Sequence, residues 1–133
     1  MNEIKIVSSN QYSTGEIFIG EIDLLTDGTY DKVILNDILD MLPERETWIH
    51  KILRKVKFEG FIILSGLDLD LFSRKAVYQL SVSECNNLLY NKKFSISNLP
   101  TMVSLLESNN YDIVVKRYVE PFAYYVEGRR RLI

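Results

Sequence analysis

Between Tyr30 and Gly66 the chain reads as a strand, a short acidic joint, an amphipathic helix and a second strand. No other stretch limits the fold so tightly. Val33, Ile34 and Leu35 are apolar at successive positions, as a strand covered on both faces requires. Pro43, Glu44 and Glu46 suit a first helical turn, where proline forfeits no hydrogen bond and carboxylates meet the positive end of the dipole. Trp48, Ile49, Ile52, Leu53 and Val56 then recur on one face at helical spacing, while Lys51, Arg54, Lys55 and Lys57 complement the negative end. The spacing predicts a helix over 43–57. Gly60 marks the exit into Phe61–Leu64, a second apolar strand. Two such strands joined by one helix make a parallel crossover, which is nearly always right-handed.

The flanking segments carry weaker signals. Ile4–Val7 reads as a short strand and 8–15 as a polar turn-forming stretch. Ile17–Leu24 offers another strand, closed by the turn signal Thr26-Asp27-Gly28-Thr29. Beyond Gly66, Asp68-Leu69-Asp70-Leu71 reads as a loop or a helix start, and Ser83 as the cap of a short helix through Leu89. Asn98 or Ser97 caps a further helix with Pro100 early in it, Leu99, Met102, Val103 and Leu106 facing inward, and Asn109-Asn110 ending it. Ile113–Val119 and Phe122–Val126, joined by Glu120-Pro121, predict an antiparallel hairpin. Arg129-Arg130-Arg131 reads as a solvated tail.

At 133 residues the chain suits one domain, 1–133, with a single modest core. No apolar run approaches the roughly 20 residues of a membrane span. Met1-Asn2-Glu3-Ile4-Lys5 lacks the basic region and apolar core of a signal peptide. The lone Cys85 excludes an internal disulfide framework, so a cytoplasmic or other intracellular setting is expected. Charge is divided unevenly: residues 1–50 hold ten carboxylates against three basic groups, and residues 51–133 hold eight against thirteen. Two solvated faces of opposite sign are the plain reading. The sharper one is an acidic half that welcomes a cation and a basic half that meets a partner or nucleic acid. No basic stripe with interleaved aromatics is present, so nucleic acid is not indicated.

Four features together resemble the C-terminal half of the class I S-adenosylmethionine-dependent methyltransferases. Asp27-Gly28-Thr29-Tyr30-Asp31-Lys32-Val33-Ile34 is similar to the approach to that family's fourth strand. Asn36-Asp37-Ile38-Leu39-Asp40-Met41-Leu42-Pro43 is similar to that strand's exit. Gly60-Phe61-Ile62-Ile63-Leu64 resembles the glycine-led fifth strand, and Leu99 through Gly128 the last helix and antiparallel strand pair. The resemblance implies an α/β fold: a truncated Rossmann-like methyltransferase sheet, mostly parallel, with a C-terminal antiparallel hairpin. Members open with a strand, a glycine-rich loop and a helix whose N-terminus approaches the cofactor. Here only nine residues separate Val7 from Ile17, with Gly15 the one glycine among them. Parallel connections ordinarily need a dozen or more residues, so the first helix is expected to be missing.

In such a sheet a ligand sits at the carboxyl ends of the strands. Those ends are expected to carry Ser8, Ser9 and Asn10, then Asp23, then Asn36 and Asp37, then Ser65, Gly66 and Asp68. By resemblance, Asn36 and Asp37 face the methionine end of S-adenosylmethionine or the substrate, Asp23 a polar edge, and Ser8 and Asn10 the same pocket. The competing reading makes Asn36, Asp37 and Asp40 strand-ending and helix-capping residues. His50 reads as a surface residue without a dyad partner, and Cys85 as a buried structural thiol. The pairs Asp68/Asp70 and Asp37/Asp40 bind a divalent cation only if further ligands join them.

Two functions follow from the resemblance. One is methyl transfer from S-adenosylmethionine to an unknown acceptor. The other is a catalytically inactive scaffold or assembly protein that has lost the cofactor loop, because a fold does not carry its function with it. A shortened sheet leaves an edge or face to cover, so a homo-oligomer or protein partner is expected.

Overall fold

The computed structural model describes residues 2–39, 42, 45–89 and 97–132. Six strands form one sheet: β1 (Glu3–Val7), β2 (Glu16–Phe18), β3 (Tyr30–Asn36), β4 (Val56–Leu67), β5 (Tyr111–Val119) and β6 (Ala123–Arg130). Their order is β2-β1-β3-β4-β6-β5. The first four run parallel to their neighbours, and β6 joins β4 and β5 antiparallel. The expected α/β sheet with its C-terminal hairpin is therefore what the chain forms. The helices are α1 (Arg45–Leu53), α2 (Leu69–Gln79), α3 (Val82–Leu89) and α4 (Leu99–Glu107), with a 3-10 helix at Ile19–Leu24.

Register aligns the apolar positions in rows across the sheet. Ile6 lies beside Leu35, Leu35 beside Leu64 and Leu64 beside Val126. Ile4, Val33 and Ile62 make a parallel row. These side chains share one core with Ile49 and Ile52 of α1, Met102 and Leu106 of α4, and Ile19 and Ile22 of the 3-10 helix. The alternate row, Lys5, Ile34, Ile63 and Glu127, stands outside that core. Lys5 is exposed and Ile34 only half-buried, so β3 is sealed on one face rather than on both.

Several boundaries differ from the sequence reading, each for a physical reason. The strand expected at Ile17–Leu24 stops at Phe18, and the 3-10 helix follows. Ile19 and Ile22 stand three apart and are both buried, which is the repeat of a 3-10 turn. The Phe18 ring lies where a side chain on Gly20 would be. The helix predicted over 43–57 is described from Arg45 and ends at Leu53, while Pro43 and Glu44 lie outside the described residues. Lys57 consequently belongs to β4, where it pairs with Asp31 and holds that carboxyl below its usual range. The cap of α3 is Ser81 rather than Ser83: Ser81 Oγ accepts from the Glu84 amide, and Glu84 Oε1 from the Ser81 amide. Arg129 and Arg130 lie in β6 instead of a solvated tail.

β1 and β2 are parallel although only eight residues, 8–15, join them. No helix forms in that link. β2 has three residues, and Lys5 lies beside Glu16, so the return descends only about 7 Å at the strand rise. A turn closes it: Gly15 takes φ 85°, Glu16 N–H donates to Ser13 O, and Lys5 N–H donates to Gly15 O. The link is shorter than parallel connections ordinarily need, and the pairing survives because β2 is so short.

Candidate functional site

The chain leaves β1 for β2 on one side of the sheet and leaves β3 for β4 on the other, so the direction reverses between β1 and β3. In open α/β sheets the crevice outside the carboxyl ends at such a point is where ligands bind. Ser8, Ser9 and Asn10 follow β1 directly and are exposed. Asn36 ends β3 and Asp37 follows it, both exposed. Asp37 adopts φ 59°, a left-handed conformation that aspartate tolerates better than most residues. Its amide donates to Ser65 O at 2.9 Å, and Ser65 Oγ donates to Asn36 Oδ1 at 2.9 Å. The ends of β3 and β4 are thus laced together beside the end of β1. Asp40 lies outside the described residues, so the pair Asp37/Asp40 is not described.

The fold gathers Ser8, Asn10, Asn36, Asp37 and Ser65 at one end of the sheet. Asp23 is elsewhere: it lies in the 3-10 helix, not at a strand end, and pairs with Lys51 at 3.3 Å. Lys51 occupies the last turn of α1, which runs back toward the amino end of β4. Asp68 is fully buried, and both carboxylate oxygens are engaged by backbone. Oδ1 accepts from the Leu71 amide at 3.0 Å and Oδ2 from the Leu99 amide at 2.8 Å, so one side chain caps α2 and α4 together. Asp70 is exposed on α2. Among the described residues no group of three or more histidine, cysteine or acidic side chains could hold a metal ion.

His50 is exposed, as expected, and it lines a cavity of about 520 Å³ at the opposite, amino-terminal end of β4. Lys51, Arg54 and Arg130 line the same cavity. Local sequence pattern assigns these cations to a helix end and a tail. Their common placement follows from β6 pairing back along β4, which no local pattern announces. Cys85 is half-buried against the small cluster of Leu67 and Phe122.

S-adenosylmethionine presents a carboxylate, two cationic centres and a ribose diol. Asp37 offers a counter-charge to a cation, and Ser8, Asn10 and Asn36 offer hydrogen bonds. No helix begins in the link 8–15, so no helix N-terminus there faces the carboxylate. The fit is to the cationic and hydroxyl parts of the molecule.

No protein-family model matches the sequence, and no curated protein does. Solved structures do. An S-adenosylmethionine-dependent methyltransferase from Mesorhizobium loti aligns with 97% of this chain and 81% of its own, at TM-score 0.66 and 10% identity. A SAM-dependent methyltransferase from Thermotoga maritima aligns with 87% of this chain and 63% of its own, at TM-score 0.64 and 12% identity. The magnesium protoporphyrin IX methyltransferase of Synechocystis PCC 6803, solved with bound SAH, aligns with 90% of this chain and 53% of its own, at TM-score 0.58 and 18% identity. The chain spans less than two thirds of the length of the last two. At such identities the likeness is one of architecture: a class I methyltransferase-like α/β sheet.

Proposed function

We propose that this chain is a methyltransferase-fold protein whose ligand end lies at the carboxyl ends of β1, β3 and β4, and that S-adenosylmethionine is its ligand. The reversal of direction between β1 and β3, with Asn36, Asp37 and Ser65 laced beside it, carries this reading. Asp37 would face the cationic end of the cofactor, with Ser8 and Asn10 on the opposite wall. Methyl transfer requires chiefly that donor and acceptor be positioned in a dry cleft, so few dedicated catalytic groups are needed. The acceptor is left open.

A second reading is favoured by one observation. The eight-residue link from β1 to β2 forms a turn where a cofactor-gripping helix would start. On that reading the chain is a catalytically inactive scaffold, and the sheet face carrying Lys5 and Ile34 meets a second copy or another protein.

Calorimetric titration with S-adenosylmethionine separates the two. The first reading expects saturable binding that weakens by about tenfold or more on Asp37→Ala, the loss of one charge-assisted contact. Absence of heat at millimolar ligand, with a mass above that of one chain by light scattering, would establish the scaffold instead.

A further inference from the structure

The cavity at the amino-terminal end of β4 has a charge distribution that the ligand end of the sheet lacks. His50 and Lys51 of α1, Arg54 just beyond its end and Arg130 of β6 form its walls, over a floor of Leu53 and Tyr111. Its volume, about 520 Å³, lies in the range of small-molecule sites. Among the described residues no carboxylate lines it. Asp23 pairs with one of the cavity's own cations, Lys51, at 3.3 Å, and Asp27 pairs with Lys55 at 2.7 Å. The Lys55 hydrogen bond holds the Asp27 carboxyl below its usual range, and the more distant Arg54 and Arg130 act in the same direction. Among the described residues neither arginine has a carboxylate at ion-pair distance.

A helix C-terminus ordinarily draws cations onto its free carbonyls. Here the carbonyls at and just beyond the end of α1 have other donors besides a cation. Leu53 O accepts from the Tyr111 hydroxyl at 2.7 Å, Arg54 O from the Gly28 amide at 2.8 Å, and Lys55 O from the Thr29 amide at 3.1 Å. Burial pushes the Tyr111 phenol up, so it stays a donor through the neutral range. Arg130 uses one terminal nitrogen, Nη1, on Arg54 O and Val56 O, and rests 4.4 Å from the centre of the Phe58 ring. A guanidinium has five N–H donors, so this anchoring fixes the group and leaves donors for a ligand. Arg54, exposed, stands beside it on the same wall.

The neighbouring cavity, about 350 Å³, makes the contrast. It is lined by Arg129 and Arg131, with Arg130 bordering both cavities, and also by Glu59 and Asp112, which pair with Arg129 and Arg131 at 3.6 and 2.7 Å. Arg129 and Arg131 each face a carboxylate there.

We propose that the 520 Å³ cavity binds a compact anion of the phosphate class, held by Arg130 and Arg54 with Lys51 and His50 at the rim. Two arginines suit this because the planar fork matches phosphate oxygens two at a time. The floor of Leu53 and Tyr111 takes the apolar part of the molecule when the phosphate is carried on an organic group. The site lies at the opposite end of β4 from the proposed cofactor end and does not depend on it.

The test is calorimetry on the full chain at low ionic strength, with inorganic pyrophosphate in one arm and a nucleoside monophosphate in the other. Saturable binding in either arm is expected, with the stronger arm telling free anion from organic phosphate. Arg54→Ala should weaken it by about tenfold or more, and Arg131→Ala by no more than roughly twofold, circular dichroism of both variants matching the parent. The proposal is overturned by no saturable heat at about 10 mM of either probe. It is equally overturned by binding that Arg54→Ala leaves unchanged or that Arg131→Ala weakens as much. A single-stranded oligonucleotide that outcompetes both probes, with Arg131→Ala weakening it too, would make the surface a nucleic-acid contact and overturn the small-anion site.

Discussion

Asp68 connects more of the molecule than any other single side chain at the end of β4. Its two oxygens satisfy the first-turn amides of two helices, and its own amide donates to Phe122 O. Asp68→Ala would leave the Leu71 and Leu99 amides buried without acceptors. Each such orphan costs roughly 1–3 kcal/mol, so a loss of about 2–5 kcal/mol is expected in urea unfolding, with Asp68→Asn losing less. In sequence this residue looked like half of a cation pair with Asp70. The segment there reads as a loop or a helix start, and a carboxylate that caps a helix 31 residues away is not a local pattern. Asn98 was the opposite case: its side chain accepts from the Thr101 amide as the local motif indicates.

At the scale of elements, β4 shows how one glycine permits an irregular strand. Tyr30 lies beside Val56 but Lys32 beside Phe61, so β4 inserts extra residues between the two contacts. Glu59 takes φ 67° within the insertion. A Cβ on Gly60 would come within 2.9 Å of the carbonyl oxygens of Asp31 and Lys57, which are backbone and cannot swing aside. Gly60→Ala is therefore expected to destabilise by about 1–3 kcal/mol, read as a lower thermal midpoint without loss of the folded spectrum. The residue was legible as a boundary before an apolar strand. It is instead an interior bulge, because β4 begins at Val56 and its first residues follow β3 out of register. α1, α4 and the hairpin were legible because each repeats its own period within one element.

At the scale of the whole molecule, the uneven charge of the two halves resolves into contact. Asp23, Asp27 and Asp31 from the acidic half pair with Lys51, Lys55 and Lys57 from the basic half. Two solvated faces of opposite sign are thus only part of the picture. The core likewise joins the halves, since Ile6 of β1 and Leu106 of α4 are both fully buried in one cluster. Ile6→Ala and Leu106→Ala should each cost about 2–5 kcal/mol. With one core, each should shift a single transition in which fluorescence and far-ultraviolet dichroism coincide. Two separated transitions, each moved by one substitution, would show that the halves fold apart.

The amino-acid sequence by itself determined the α/β class, the β3-α1-β4 crossover and the closing hairpin, because periodicity and turn chemistry act over a few residues and survive any tertiary setting. It also placed Asn36 and Asp37 at a strand end, since the apolar run stops there. Only the tertiary structure decided that β1 and β2 pair in parallel without a helix, that Asp23 turns away toward Lys51, and that Asp68 is a shared cap. It alone decided that Arg54 and Arg130, 76 residues apart, share a cavity wall. Each of these rests on strand register and chain reversal, which bring distant residues within a few ångströms while leaving no mark on the residues between them.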